Sequence, residues 1–116
     1  MVKKRDLEIF KEIKHFLDST LEENIPIKDL CIKFGINRNK LQTAFKILFG
    51  QTIHTYILEQ KMKKASERLR ATADPIKVIA LGIGYSSGNF TTKFRRHYGC
   101  SPHQFRQRKT SGNGIQ

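Results

Sequence analysis

Residues 27–56 read IKDLCIKFGINRNKLQTAFKILFGQTIHTY, and residues 76–105 read IKVIALGIGYSSGNFTTKFRRHYGCSPHQF. Laid over each other at a constant offset of 49, without a gap, the two stretches share Ile27/Ile76, Lys28/Lys77, Gly35/Gly84, Thr43/Thr92, Phe45/Phe94, Gly50/Gly99 and His54/His103. Apolar character survives where identity does not, as in Leu30/Ile79, Ile32/Leu81, Leu41/Phe90 and Phe49/Tyr98. A unit of this length present twice is one supersecondary motif built twice. Each copy holds a short apolar-periodic segment, a glycine turn, and a longer amphipathic helix closed by glycine. That is the helix-turn-helix pattern.

Working outward, Asp6 to Leu21 places Leu7, Phe10, Ile13, Phe16 and Leu17 at helical spacing and predicts a supporting amphipathic helix. Pro26 precedes a short helix from Ile27 to about Phe34, and Gly35 makes the turn. Asn37 is expected to cap a helix over Arg38–Phe49 that ends at Gly50, and Thr52 to cap a long helix reaching about Thr72. In the second copy Asp74-Pro75 is read as a cap and a first-turn proline, Ile76 to Ile83 as the short helix, and Gly84 as the turn. Ser86 or Ser87 caps the helix through Tyr98, and Ser101-Pro102-His103-Gln104 reads as a capping box opening a last helix that ends near Lys109. Residues 110–116 read as a frayed tail. The expectation is an all-α protein of about seven helices: a first helix-turn-helix unit over about 6–50, a linker helix over 52–72, and a second unit over 74–109.

The 116 residues carry a net charge of +12, unevenly spread. Residues 1–24 sum to −1 and residues 25–116 to +13; from Ile76 onward there are seven Lys or Arg and no acid. Confining the excess to the duplicated part points to a polyanion-binding surface. Within the first long helix Leu41, Phe45 and Leu48 share one face, which leaves Asn39, Thr43 and Lys46 opposite and Arg38 and Gln42 on a flank. In the second, Phe90, Phe94 and His97 form the inward stripe, with Gly88, Thr92 and Arg95 opposite and Ser87 and Thr91 beside them. These ten outward residues are the candidate base contacts, because Asn and Gln pair with adenine, Arg and Lys with guanine, and Thr offers a hydroxyl or a methyl. Lys28, Lys40, Lys77 and Arg96 are the candidate phosphate contacts. The long middle helix would measure about 30 Å, close to the roughly 34 Å between successive major grooves on one face of B-DNA.

The chain resembles the DNA-binding domain of AraC/XylS-type transcription regulators over nearly its whole length. The most specific stretch is Ile79-Ala80, Gly84-Tyr85, Phe90, Phe94, Tyr98-Gly99-Cys100-Ser101-Pro102 and Phe105-Arg106; Lys61, Met62, Ala65 and Leu69 resemble the family's linker helix, with Lys where Arg is usual. The resemblance implies promoter binding by one chain through two helix-turn-helix units, with base contacts at Asn39, Gln42, Thr43, Ser87, Gly88, Thr91 and Thr92. RNA polymerase is a further candidate partner. Three departures stand out: one residue fewer between Gly84 and Phe90, a side-chain-free Gly88 early in the second reader, and Lys93 at the place of Ala44, where it must snorkel outward. Together they suggest a second unit weaker in base readout and stronger in phosphate contact.

Other chemistry finds less support. His97, Cys100 and His103 lack a fourth ligand of the usual kind, so no metal and no cofactor are expected. No nucleophile–base arrangement argues for an enzyme, and the two cysteines read as reduced packing residues. An RNA binder would show exposed aromatics for stacking, and no helix pairs a broad apolar face with the dense Lys and Arg of a membrane-surface helix. No segment approaches the ~20 apolar residues that span a bilayer, so the cytoplasm is the expected compartment. A non-sequence-specific basic nucleic-acid-binding protein is the alternative. The family usually senses effectors through a separate domain, so the chain is either a stand-alone short regulator or, as read here, the reading end of a longer one, monomeric by itself, with any oligomerisation left to a missing domain.

Overall fold

Pro26 and Pro75 extend the internal repeat one residue upstream, and in the structure each starts a helix in the same way. Both adopt extended backbone (φ −66°, ψ 149° and φ −58°, ψ 146°) and offer their carbonyl to the next turn. Pro26 accepts from Asp29 and Leu30 at 3.0 and 3.2 Å, and Pro75 accepts from Val78 and Ile79 at 2.9 and 3.2 Å. Each proline therefore stands at the N-cap rather than inside the first turn, which corrects the reading of Asp74 as the cap. A residue before proline is pushed out of the helical region, so Asp74 lies outside α5 and is free to bond elsewhere.

The structure is a computed structural model that describes residues 2–112. Among these are seven α-helices and no strand: α1 (Lys4–Ser19), α2 (Ile27–Phe34), α3 (Arg38–Phe49), α4 (Ile53–Ala71), α5 (Ile76–Gly82), α6 (Ser87–Tyr98) and α7 (Pro102–Gly112). A single 3₁₀ turn, Leu21–Glu23, follows α1. The first helix starts two residues before its expected position because the Lys3 N–H donates to Asp6 Oδ2 at 2.7 Å, fastening the first turn. The last helix runs past Lys109 to Gly112, so residues 110–112 are helical rather than frayed; 113–116 of the expected tail lie outside the described residues.

The chain divides into two units, one ending at Gln60 and the other beginning at Lys61, so α4 contributes its first half to one and its second half to the other. In the first unit Phe10, Ile13 and Leu17 of α1 close over Leu30, Leu41, Ala44, Phe45, Ile53 and Tyr56. Phe45 is the hub: its ring centroid lies 6.5 Å from Phe10, 4.8 Å from Phe49 and 5.6 Å from Tyr56. The Tyr56 hydroxyl donates to Asp18 Oδ1 at 2.5 Å, and burial first, then this carboxylate, push the phenol well above its usual range.

In the second unit the buried side chains include Met62, Ala65 and Leu69 of α4, Ile79 and Ala80 of α5, Ile83, and Phe90 and Phe94 of α6. Phe94 repeats the part of Phe45, with centroids 4.6 Å from Tyr98, 5.3 Å from Phe105 and 5.5 Å from Phe90. The inward stripe of α6 thus runs through 90, 94 and 98, not 97. His97 is exposed, with its ring edge-on to Tyr98 at 4.6 Å, because the i+4 step carries Tyr98 onto Phe94 and Phe105. Arg106 of α7 binds the end of α4: its guanidinium donates to the carbonyls of Leu69 (3.2 Å), Thr72 (3.1 Å) and Asp74 (2.8 Å). The last carbonyls of a helix lack partners within it, and Thr72 and Asp74 lie beyond α4, so a fork of donors serves this end well.

Replacing Phe94 with alanine should remove about 3–5 kcal/mol of stability, read from the urea midpoint at constant m-value. Asp6 supplies a second measurement. The Lys3 N–H and, next, the Lys40 ammonium hold its carboxyl below the ordinary carboxylate range. A depressed folded-state pKa means a contribution fully present at neutral pH and lost as pH falls through the ordinary carboxylate range toward the folded-state value. Asp6→Asn should therefore be less stable at pH 7 and lose less than the parent between pH 5 and pH 3.

Candidate nucleic-acid interface

Each reader helix is positioned by a glycine turn, a side-chain cap and a glycine stop that recur in both units. After α2 the chain turns at Gly35 (φ 63°), and the Ile36 N–H reaches back to the Cys31 carbonyl at 3.1 Å. After α5 it turns at Gly84 (φ 85°), and the Tyr85 N–H reaches the Ala80 carbonyl at 3.0 Å. Both glycines hold left-handed backbone that a Cβ would strain. The shortened second turn therefore matches the first. Asn37 Oδ1 then accepts from the Lys40 N–H at 2.8 Å to start α3, and Ser86 Oγ accepts from the Asn89 N–H at 3.3 Å to start α6. Of the two serines considered as the cap, the structure uses Ser86. At the far end the N–H of Gly50 and of Gly99 bonds to Lys46 and Arg95 respectively, at 2.8 Å in both.

With Leu41, Ala44 and Phe45 buried, α3 turns Arg38, Asn39, Gln42, Thr43 and Lys46 outward, all exposed. The side chains of Asn39 and Gln42 form no hydrogen bond among the described residues, so both amides keep their donor and acceptor available. In α6, Ser87, Gly88, Thr92 and Arg95 are exposed and Thr91 is half-buried. Here the chemistry differs. The hydroxyls of Thr91 and Thr92 donate back to the carbonyls of Ser87 (3.0 Å) and Gly88 (3.2 Å), which leaves outward a lone pair and a methyl rather than a free donor. At Gly88 a Cβ would meet nothing within 4 Å, so the first turn of α6 is open space.

The candidate phosphate contacts fall into two groups. Lys28, Lys77 and Arg96 are exposed. Lys40 is half-buried, and its ammonium lies 3.1 Å from Asp6 Oδ1, so its charge is balanced within the first unit. Nothing in the sequence marked this pairing, because the two residues are 34 positions apart. Lys93 does snorkel: it is half-buried, with its ammonium 5.7 Å from the Tyr85 ring. Lys61, buried in α4, places its own ammonium 4.4 Å over the same ring. Burial pushes the Tyr85 phenol above its usual range. Two cations against one aromatic ring anchor the turn that leads into α6.

Comparison with known proteins agrees with this geometry. A helix-turn-helix domain family matches residues 30–108. The regulatory protein SoxS of Escherichia coli K12 is 30% identical over 101 residues, covering 86% of this chain and 94% of SoxS. By contrast, the chain spans only 42% of the length of YkgA from the same organism, at 29% identity. Among solved structures, an AraC-type DNA-binding-domain regulator from Chromobacterium violaceum superposes with a TM-score of 0.80 at 24% identity, covering 94% of this chain and 98% of that one. The DNA-binding domain of AdpA, solved in complex with a target DNA, gives 0.81 at 21% identity, covering 90% and 96%. Two capped reader helices on duplicated turns, matched over most of the chain by that family, make this chain a member of the AraC/XylS-type helix-turn-helix transcription regulators.

Proposed function

We propose that the chain binds duplex promoter DNA with sequence preference, as a monomer, by placing α3 and α6 in successive major grooves. The observation that carries this reading is the pair of acid-free outward faces, each presented by the same cap, turn and stop. Length supports it: the 19 residues of α4 extend about 28 Å, against the roughly 34 Å between successive grooves. Slight bending of the DNA toward the protein accommodates the difference. The occurrence of a target DNA in the AdpA complex supports duplex DNA as the ligand.

Roles divide by chemistry. Asn39 and Gln42 make two-point contacts to adenine edges, with Arg38, Thr43 and Lys46 beside them; Ser87, Thr91 and Thr92 contribute smaller contacts, and Gly88 lets the backbone approach closely. Lys28, Lys77 and Arg96 carry most of the phosphate neutralisation, joined by Arg95, which is assigned here to phosphate rather than to a base edge, with Lys40 contributing less because of Asp6. RNA polymerase is the partner through which binding would change transcription, and the cytoplasm is the compartment. No helix among the described residues is long and apolar enough to cross a membrane. Effector sensing and oligomerisation, where present, belong to further domains of a longer protein.

Selection of bound sites from a random duplex library tests the proposal. An asymmetric site covering two adjacent grooves is expected; recovery of a palindrome that requires two chains, or of no preference at all, would overturn it. On the selected site, Gln42→Ala should relax preference at one or two positions and cost about 1–3 kcal/mol. Arg95→Ala should weaken binding to selected and scrambled duplexes alike. If roughly six phosphates are neutralised, log affinity should fall against log salt with a slope of about −5, and Arg95→Ala should flatten that slope by about one.

A further inference from the structure

In the first unit a concavity of about 660 Å³ runs along the C-terminal half of α3 and onto the first turn of α4. Gln42, Lys46, Ile47, Thr52 and His54 are among its lining residues, and no acid is. We propose that His54, and its counterpart His103 in the second unit, each donate a ring N–H to a DNA phosphate beside the groove that the neighbouring reader enters. This rests on the proposed mode of DNA binding and adds a contact to it.

Three observations point the same way. First, His54 is exposed and its imidazole has no hydrogen bond or ring contact among the described residues, yet it shares its concavity with Gln42 and Lys46 of the reader. Second, at an offset of 49 the lining chemistry recurs: Lys46 becomes Arg95, Thr52 becomes Ser101, and His54 becomes His103. Core positions recur because packing requires them. Lys46, Arg95, His54 and His103 are all exposed, so packing makes no such demand. A pair of exposed positions that keeps the same donor chemistry in both units is accounted for by a ligand that both units meet, and a duplex presents its phosphates to both.

Third, the neighbouring hydroxyls are already committed. Thr52 Oγ1 accepts from the Thr55 N–H at 3.1 Å and Ser101 Oγ from the Gln104 N–H at 3.1 Å. They hold the first turn in place and leave the imidazole and the adjacent cation as the donors facing outward. Two exposed lining positions change character: Gln42 becomes Thr91, and Ile47, 59% exposed, becomes Arg96. The corresponding positions of the second unit are thereby more cationic, so the contact at His103 is backed by two arginines where His54 has one lysine.

Single methylphosphonate substitutions, scanned along both strands of the selected duplex, test the assignment. His54→Ala and His103→Ala should each weaken binding roughly three- to tenfold with base preference unchanged, and His54→Gln, which keeps an N–H donor, should recover most of the loss. For each alanine variant one neutral linkage that harms the parent should cost nothing further, at different positions for the two histidines. Full affinity of both alanine variants, or losses that simply add to those of every linkage, would overturn the proposal; so would a change of base preference, which marks a base contact. Should the parent protein show no sequence preference, the proposed function fails alone, because the loss of affinity of the two alanine variants for a mixed-sequence duplex, and its recovery in His54→Gln, still read the phosphate contact. Unchanged thermal unfolding of the variants separates contact from folding.

Discussion

One phenylalanine per unit holds the arrangement together. Phe45 and Phe94 are each fully buried, and each packs against an aromatic ring one turn later in the reader and another in the helix that follows. The partners, Phe49 and Tyr56 in one unit and Tyr98 and Phe105 in the other, are themselves 49 apart. Tilted and edge-to-face rings at 4.6–5.6 Å tolerate little rotation. Because a helix is rigid, fixing the direction of one buried ring fixes every outward side chain on it. The reading faces are consequences of where these two rings point.

On that shared frame the two readers diverge. The first presents carboxamides that are unbonded among the described residues, suited to two-point recognition, and one of its cations is neutralised by Asp6. In the second, threonine hydroxyls are turned back onto their own helix, Gly88 leaves open space, and Arg95 and Arg96 stand side by side and exposed. On the proposed reading, divergence of these outward positions leaves one unit suited to discrimination and the other to adhesion. The packing positions diverged within apolar chemistry, as in Leu30/Ile79 and Leu41/Phe90, because a buried polar group without a partner is costly.

Much of this was legible beforehand for local reasons. Helix-forming periodicity, the Asn37 cap, the Ser101–Gln104 box and the stops at Gly50 and Gly99 act within four residues of themselves, so the chain's order alone reveals them. The errors were local competitions decided by one step. Asp74 lost the cap to Pro75, and His97 lost the inward position to Tyr98 because a four-residue step, not a seven-residue one, meets Phe105.

What the sequence by itself determined is the repeated scaffold: two turns, two readers, their caps, and the polar character of their outward faces, all specified by spacings shorter than a helical turn or two. What only the tertiary structure decided are the pairings between distant residues. Asp6 quiets Lys40 across 34 positions, Tyr56 finds Asp18 across 38, and Arg106 closes the end of α4 across 32 to 37. It also placed His54 in one concavity with Gln42 and Lys46. Such contacts depend on the angle at which helices pack, and that angle is set by side-chain volumes at several sites at once. No periodicity along the chain encodes it, whereas the folded core expresses it directly.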